Sequence, residues 1–441
     1  MSNGNNDIDN SEPIRIEIGE KSMIPARIDA KETPPSEFHS KYEATLVPTV
    51  ITNIPQGYDV PPPPPSPPNT KQNQRKEQIT TKTSSNSSST TIHAWPALKS
   101  WSLQTLASDS SLRERLFKCG EDDDGKSIKL KLKHFLRYLE NNNDDSPLYV
   151  FDSSFEDDRI SKRILSDYRV PTYFNEDLFH LVGERRRPPY RWFLIGPERS
   201  GTCVHIDPLA TSAWNTLLIG QKRWVLFPPH VPKSIAKGSK HVYKGEDDEA
   251  IHYFTTVLPR IKKAARENGY MKGSKYEHFE CYEFTQYENE TVFIPNGWWH
   301  AVLNLTDTVG VTQNYCSQRN FDQVWLKTRT GRKKMAYKWL NKLETVYPHL
   351  ASRAMELNRR DNFVMKYDPE EVERRRRLEE ERERARKEKK KSKKEHHGRS
   401  SSLSCKKFSD SSSRLPCTSD VSFNRDAKRS RTERVVSPDF A

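Results

Sequence analysis

Two histidines and one aspartate have the residue types and spacing of a metal site. His205-Ile206-Asp207 places an imidazole and a carboxylate two residues apart, and alternate side chains of a strand point to one face. His300 follows a Pro-Asn-Gly turn and would begin the next strand. Two His and one Asp on neighbouring strands form the ligand set of a non-haem Fe(II) centre, which keeps positions open for a cosubstrate and O₂. Spacing alone favours the plainer interpretation, a surface strand and a structural histidine, because the chain has 13 His and such pairs arise by chance.

A lysine and a threonine could complete such a site. A 2-oxo acid bound to iron needs a cation and hydroxyls for its distal carboxylate. Lys222 opens the run KRWVLFP, 15 residues after Asp207, and Thr312 lies 12 residues after His300. An inward lysine in a barrel is unfavourable unless an anion pairs with it. The alternative for Lys222, a strand end facing solvent, is equally compatible with the pattern.

These residues lie among many short apolar, aromatic-rich runs separated by turn residues, which predict an all-β sandwich or barrel. The runs are 148–152, 190–196, 212–220, 222–229, 282–287, 291–295, 300–305 and 308–315. Upstream, Glu37 to Tyr42 predicts a short helix and Val47 to Ile54 a strand. Downstream, residues 321–351 predict a helical segment with a break at Gly331, which could pack on the barrel or form a dimer contact. Residues 370–394 are strong helix formers without an apolar stripe, which predicts a solvated helix or disorder.

Composition excludes some classes of function. Apolar residues make up 33% of 441, and the 17 Gly raise this to roughly 37%, below the globular average of about 45–50% counted with glycine, so part of the chain is expected to pack no core. No apolar run approaches the roughly 18–20 residues of a membrane span, and residues 1–11 lack the apolar stretch of a secretion signal. The six cysteines form no C-x-x-C pair, which favours reduced thiols in the nucleus or cytosol.

The net charge of +13 is concentrated at the C-terminus. Residues 371–441 contain 22 Lys and Arg against 13 Asp and Glu, a net charge of +9. Further basic clusters occur at 185–187, 260–263 and 329–334. Such charge favours RNA or acidic proteins as partners, through phosphate contacts rather than base reading, and a nuclear location. No RNA-recognition motif, KH or zinc-finger pattern accompanies it.

From Phe117 to about Ala351 the sequence resembles the family of JmjC-domain bifunctional arginine demethylases and lysyl-hydroxylases. The matching motifs are FKCGEDDDGKSIKLKLKHF, DDSPLYVFDSSF, GERRRPPYRWFLIGPERSGT, HIDPLATSAWN, GQKRWVLFP, ETVFIPNGWWHAVLNL and TQNY. The resemblance implies a mainly β fold, the double-stranded β-helix (jelly-roll or cupin) barrel of JmjC proteins, with flanking helices and disordered tails.

The resemblance also implies roles for individual residues. His205, Asp207 and His300 match the iron ligands, and Lys222 matches the lysine that pairs with the 2-oxoglutarate carboxylate. Asn215, Thr312 and Tyr149 match further cosubstrate contacts, while Thr202 matches a residue near the substrate. Two positions depart from the family pattern: Cys203-Val204 stands where Gly-Ile is usual, and Ala210 replaces a glycine. These added side chains could narrow the pocket entrance and affect substrate choice.

The domain organisation then follows. It comprises a disordered N-terminus (1–22), the N-terminal part of the catalytic unit (23–58), a Pro/Ser-rich low-complexity insertion (59–94), the JmjC barrel (95–320), a C-terminal helical segment (321–360) and a basic disordered tail (361–441). Residues 61–68 of the insertion, PPPPPSPP, could dock an SH3 or WW domain, although a solvated spacer is the commoner role of such a segment.

The function implied is an Fe(II)- and 2-oxoglutarate-dependent dioxygenase, with O₂ as cosubstrate. It would mainly hydroxylate lysines of nuclear, splicing-associated or histone proteins, with the demethylation of methyl-arginine as a second activity. The main alternative is a catalytically silent, RNA-associated scaffold that keeps the barrel as a structural module. A membrane receptor for phosphatidylserine is disfavoured, because such a role requires no metal triad.

Overall fold

The computed structural model describes residues 22–59, 94–122, 124–246, 249–267, 279–367 and 369–400. Residues 1–21 of the predicted disordered N-terminus and residues 60–93 of the Pro/Ser-rich insertion lie outside these ranges, as do residues 401–441 of the tail. Ser22, the last residue of the predicted disordered N-terminus, is described and lies in a strand. The chain divides into two units, one ending at Leu357 and the other beginning at Asn358, and the candidate site residues belong to the first.

Fourteen strands form within the described residues. They are β1 (Ser22–Met23), β2 (Ala26–Asp29), β3 (Thr49–Thr52), β4 (Leu116–Glu121), β5 (Ser127–Lys131), β6 (Val150–Asp152), β7 (Arg191–Gly196), β8 (Gly201–His205), β9 (Ser212–Ile219), β10 (Lys222–Phe227), β11 (Cys281–Gln286), β12 (Thr291–Ile294), β13 (Trp299–Asn304) and β14 (Thr308–Tyr315). Each of the eight predicted runs overlaps one of these strands, to within two residues at each end, so the strand pattern is confirmed.

The strands build two large sheets. The first, sheet A, has the order β1-β11-β10-β13-β8, and the second, sheet B, has the order β2-β3-β12-β9-β14-β7-β6, while β4 and β5 form a separate pair. Sequence neighbours such as β8 and β9 belong to different sheets, as in a jelly roll. The N-terminal segment is integral to the barrel, because β1 extends sheet A and β2 and β3 extend sheet B.

Alternation along the strands separates an inner from an outer face. On β10, Trp224 and Leu226 pack with Val292 of β12, so this face points between the sheets. Val225 and Phe227 point the other way and pack against the helical residues Leu258 and Ile261. The outer face of sheet B is covered by N-terminal aromatic residues such as Trp95 and Phe174, which pack with Trp214 and Phe293. The inner layer is where side chains from both sheets meet.

Twelve α-helices form within the described residues. They are α1 (Pro35–Phe38), α2 (Ala97–Ser100), α3 (Leu103–Ser108), α4 (Leu132–Asn141), α5 (Ile164–Asp167), α6 (Lys233–Ala236), α7 (Ala250–His252), α8 (Leu258–Glu267), α9 (Phe321–Gly331), α10 (Lys333–Val346), α11 (Pro348–Arg360) and α12 (Pro369–Ser400). The predicted helix near Glu37 begins as α1 and continues as a π-helical turn, His39–Glu43.

The predicted break near Gly331 is confirmed. α9 ends at Gly331 and α10 starts at Lys333, because Arg332 has a non-helical backbone with φ −130° and ψ 55°. The segment rich in Glu, Arg and Lys forms α12, whose described side chains pair along the helix, for example Arg376 with Glu373 and Glu380. None of the described helices is long and apolar enough to cross a membrane.

Candidate metal centre

Strands β8 and β13 bring the two histidines together. They run antiparallel, and His205 and His300 are direct Cα partners, with ring centroids 4.2 Å apart. The sequence placed Asp207 on the same strand as His205. Instead β8 ends at His205, and Asp207 precedes a short turn, Pro208–Ala210. Its carboxylate still reaches the pair, since one ligand atom from each of the three residues lies within 4.8 Å of the others.

Backbone carbonyls fix the orientation of both imidazoles. His205 Nδ1 lies 2.8 Å from the carbonyl oxygen of Cys203, and His300 Nδ1 lies 3.1 Å from that of Trp298. A carbonyl only accepts, so each Nδ1 carries the proton and each Nε2 keeps its lone pair. This is the arrangement of metal-binding histidines, in which the second nitrogen donates to an orienting acceptor.

The burial of these ligand side chains favours the binding of a cation between them. Burial, with the neighbouring His300, lowers the pKa of His205 to about 3, so this imidazole is neutral at physiological pH. Burial raises the pKa of Asp207, and its Oδ2 has no hydrogen-bond partner among the described residues. An unpaired buried carboxylate oxygen beside the neutral imidazole of His205 is unfavourable unless a cation satisfies it. The donor set therefore fits a divalent metal with two nitrogen ligands and one oxygen ligand.

A buried lysine with no carboxylate partner among the described residues lies on sheet A, the sheet that carries the two histidines. Lys222 is 0% exposed, and its Nζ donates to the Tyr149 hydroxyl at 2.9 Å. Burial lowers the pKa of this ammonium to about 7, because the structure gives it no described anionic partner. The equally plausible prediction of a solvent-facing strand end is wrong, since Lys222 lies on the inner face with Trp224. A bound carboxylate would supply the missing counter-charge.

Polar side chains of sheet B face this lysine and the metal residues. Thr312 and Asn215 are cross-strand partners on β14 and β9, and both are more than nine-tenths buried. Thr312 Oγ1 donates to the carbonyl of Trp214 at 2.8 Å, which leaves its lone pairs available. Asn215 Oδ1 has no hydrogen-bond partner among the described residues. The inner layer thus holds a polar cradle for a small oxygen-rich ligand.

Sequence reasoning did not single out Asn304. This residue lies directly opposite Lys222 in the pairing of β10 with β13, and its amide donates to Ser200 Oγ at 2.8 Å. Its Oδ1 is buried without a partner in the described part of the chain. The spacing could have revealed it, because Asn304 follows His300 by four residues and alternation returns it to the same face.

The remaining predicted positions border the metal residues. Thr202 is partly buried and pairs across the strands with Val302, next to an irregularity in the ladder between His300 and Val302. Cys203 is also partly exposed, and its carbonyl orients His205. Ala210 has φ 53°, in the left-handed region that favours glycine. The family glycine at this position therefore matches a backbone requirement, which alanine meets with strain.

Several residues of the predicted basic clusters have partners inside the protein. Arg187 is 3% exposed and pairs with Asp177 at 2.8 Å, while Arg260 pairs with Glu246 at 2.7 Å. Arg329 is buried and donates to the carbonyl of Leu357 at 3.0 Å. These three cations are part of the fold rather than an open basic surface.

Comparisons with known proteins agree with this geometry. Residues 192–315 match the family described as JmjC domain, hydroxylase. The chain is 39% identical over 330 residues to the bifunctional arginine demethylase and lysyl-hydroxylase psr-1 of Caenorhabditis briggsae, covering 75% of this chain and 71% of that relative. The psr-1 protein of Caenorhabditis elegans is 43% identical over 277 residues, covering 63% and 66%. A Drosophila melanogaster homologue of the 2-oxoglutarate and iron-dependent oxygenase JMJD4 is 28% identical over 178 residues, covering 38% and 34%.

A jelly roll in which β8, the loop directly after it and the neighbouring strand β13 carry a His-Asp-His centre defines an iron- and 2-oxoglutarate-dependent oxygenase of the JmjC class. Within that class, the identity over most of its length shows that this chain belongs to the family of JmjC-domain bifunctional arginine demethylases and lysyl-hydroxylases.

Proposed function

We propose that this oxygenase hydroxylates lysine side chains of nuclear proteins and, as a second activity of the same site, demethylates methyl-arginine. The observation that carries the proposal is the His-Asp-His centre together with a buried lysine that has no anionic partner among the described residues. The choice of substrates follows the names of the psr-1 relatives, which combine both activities. No finding favours the catalytically silent scaffold, since all three ligand positions keep a ligand residue.

In this proposal His205, Asp207 and His300 hold Fe(II) through two Nε2 atoms and a carboxylate oxygen. Lys222 pairs with the distal carboxylate of 2-oxoglutarate, and Tyr149, Asn215 and Thr312 complete the cradle. Bound iron and 2-oxoglutarate supply the oxidation of a C–H bond by O₂, with succinate and CO₂ as co-products.

The residues of the chain position this chemistry and protect it. The carbonyls of Cys203 and Trp298 hold the two imidazoles in one tautomer. The packed inner layer, with Trp224 and Val302 nearly fully buried, keeps bulk water from the reacting atoms. Thr202, at the partly exposed side of the centre, is proposed to contact the substrate.

One site can yield both products because they differ only in the carbon that is oxidised. Oxidation of a side-chain carbon of lysine leaves a stable hydroxylysine. Oxidation of an N-methyl group of arginine leaves a hemiaminal, which releases formaldehyde and restores the unmethylated nitrogen. The site needs only to present one carbon or the other to the metal.

The remaining partners are proposed from sequence. The net charge of +9 in residues 371–441 supports a nuclear location and RNA as a partner in chromatin regulation or RNA processing. Arg/Lys/Ser-rich nuclear proteins or histones as substrates are proposed from the family resemblance and not from this charge. An SH3 or WW domain at 61–68 and a homodimer through the helical segment that follows the barrel are further proposals.

Mass spectrometry tests the proposal. Basic peptides rich in Arg, Ser and Lys, with and without methyl-arginine, are incubated with the full chain, Fe(II), 2-oxoglutarate and ascorbate, beside a His205→Ala control. One added oxygen on lysine, absent in the control, supports hydroxylation, and loss of a methyl group with formaldehyde supports demethylation. Succinate at the level of the control, together with no iron binding, would refute the oxygenase and favour the scaffold.

A further inference from the structure

We infer that Phe151 and Trp192 form an aromatic wall of the pocket that selects a positively charged substrate side chain through its ring faces. This inference rests on the proposed function, because it describes how the same site chooses what it oxidises. It adds two specificity-determining residues to the proposed site.

Ring contacts connect the wall to the cosubstrate cradle. Phe151 and Trp192 have ring centroids 5.6 Å apart, and Phe151 lies 5.7 Å from Tyr149, whose hydroxyl accepts from Lys222. Trp192 is also the cross-strand partner of Thr312 on β14. The two rings therefore continue a row of inner side chains that runs from Asn215 through Thr312 to the edge of sheet B.

The wall is inward yet accessible. On β7, Phe193 and Ile195 point to the outer core, so Trp192 points into the layer between the sheets. On β6, Val150 belongs to the outer core, so Phe151 points inward. Phe151 is partly exposed and Trp192 is 8% exposed, whereas the core residue Phe193 is 0% exposed. Because β6 is the edge strand of sheet B, the partly exposed Phe151 ring lies where a substrate can reach it, and the buried Trp192 ring packs beside it.

No acidic residue competes for this role on the strands around the pocket. The inward positions of β6, β7, β8, β9, β10, β13 and β14 carry no Asp or Glu, and Asp207 beyond β8 belongs to the metal centre. Asp152, the one acidic residue on these strands, faces outward and accepts from Ser154. A cationic side chain that enters the pocket thus meets π faces rather than a free carboxylate. Aromatic faces attract ammonium and guanidinium groups alike, which suits both lysine and methyl-arginine.

A charge-deletion experiment tests the wall. Two peptides that differ only in lysine or norleucine at the target position are compared, since norleucine keeps the hydrocarbon chain and lacks the ammonium group. KM is measured for the wild-type chain and for Phe151→Leu, Phe151→Tyr and Trp192→Leu. Tyr287→Leu is the matched control. Tyr287 is an exposed aromatic residue that directly follows β11, and its ring already contacts the guanidinium of Arg27.

For Phe151→Leu and Trp192→Leu we expect KM for the lysine peptide to rise about 5- to 30-fold, the range of a lost cation–π contact. KM for the norleucine peptide should change less than about 3-fold. Phe151→Tyr keeps the ring face and should behave as wild type. An equal rise in KM for both peptides, or no rise for either, would refute the inference that these rings recognise the positive charge.

Binding measurements separate the two proposals. Metal binding and succinate formation without peptide report the metal centre and the cradle, and they should be retained in all four variants. A wild-type chain that binds neither iron nor 2-oxoglutarate would refute the proposed function itself. An active wild type whose wall variants change KM equally for both peptides, or for neither, would refute only the aromatic wall.

Discussion

Replacing Lys222 with methionine should stabilise the protein in the absence of 2-oxoglutarate while abolishing the binding of this cosubstrate. The ammonium is fully buried, and the structure pairs it with no described carboxylate. Methionine has a similar length and brings no charge into the inner layer.

The magnitude follows from the pKa. Burial lowers the pKa of Lys222 from 10.5 to about 7, so the unfolded chain binds the proton more tightly than the folded protein does. Carrying this lysine therefore lowers the free energy of unfolding by about 4 kcal/mol at pH 7 and by about 2 kcal/mol at pH 9. The penalty is largest below pH 7 and disappears as the pH rises through 10.5. Lys222→Met should thus gain about 2 kcal/mol more at pH 7 than at pH 9.

Urea denaturation at both pH values, in metal-free buffer without 2-oxoglutarate, measures this difference. Tryptophan fluorescence reports the transition of the first unit, because all nine Trp lie between Trp95 and Trp339. Lys262→Met is the matched control, since Lys262 contacts the buried carboxylate of Glu283. Removal of the Lys262 ammonium leaves Arg223 as the remaining ion-pair partner of Glu283 and should lower the free energy of unfolding by about 1–3 kcal/mol.

Addition of 2-oxoglutarate with a divalent metal should narrow the stability difference between Lys222→Met and the wild type at pH 7 and reverse it at pH 9. At 100 times its dissociation constant, the cosubstrate should stabilise the wild type by about 2.7 kcal/mol and Lys222→Met hardly at all. A variant that is less stable than wild type at pH 7, or that still gains stability from 2-oxoglutarate, would show that Lys222 is not an uncompensated cation awaiting a carboxylate.

Three further predictions concern the backbone and the insertion. Ala210→Gly should raise the free energy of unfolding by about 1 kcal/mol, because φ is 53° there; a decrease in urea denaturation would refute the strain. Gly196→Ala should weaken 2-oxoglutarate binding about tenfold with metal affinity unchanged, since a Cβ would lie 2.3 Å from Asn304 Nδ2 and 2.7 Å from Tyr149 Cδ2; calorimetry with each ligand decides. Replacing residues 60–93 by a short Gly/Ser linker should leave the melting temperature within about 3 °C of the wild-type value. Both ends of the insertion are held by the fold, because Trp95 N donates to Pro55 O at 2.8 Å and Thr172 N donates to the Asp59 carboxylate. A large drop in melting temperature would assign the insertion a structural role.

Strand positions could be predicted from sequence because each run combines β-branched and aromatic residues between turn residues. The bounds of β9 and β10, for example, differ from the predicted runs by no more than two residues. Which strands become neighbours could not be predicted, because pairing depends on contacts far apart in sequence. His205 and His300 are adjacent although 95 positions separate them, and only the resemblance to a family anticipated this.

The inner or outer orientation of Lys222 was likewise open from pattern alone, because a lysine at a strand end satisfies either environment. Asn304 was missed because an asparagine near the end of a strand is common and does not by itself indicate a functional role. Only its position opposite Lys222 in the sheet indicates that it belongs to the site. The strained backbone of Ala210 also required coordinates, since neither its neighbours nor its residue type indicates a positive φ.

The two large sheets contribute unequally to the proposed site, and this has a consequence for assembly. The two histidines come from one strand pair of sheet A, with Asp207 just beyond it, so metal affinity depends mainly on the pairing of β8 with β13. The cradle takes Lys222 from sheet A but Asn215 and Thr312 from sheet B, so it exists only when both sheets are docked. A folding intermediate with sheet A formed could therefore capture metal before it can hold 2-oxoglutarate. The order of ligand binding during refolding would then record the order in which the barrel closes.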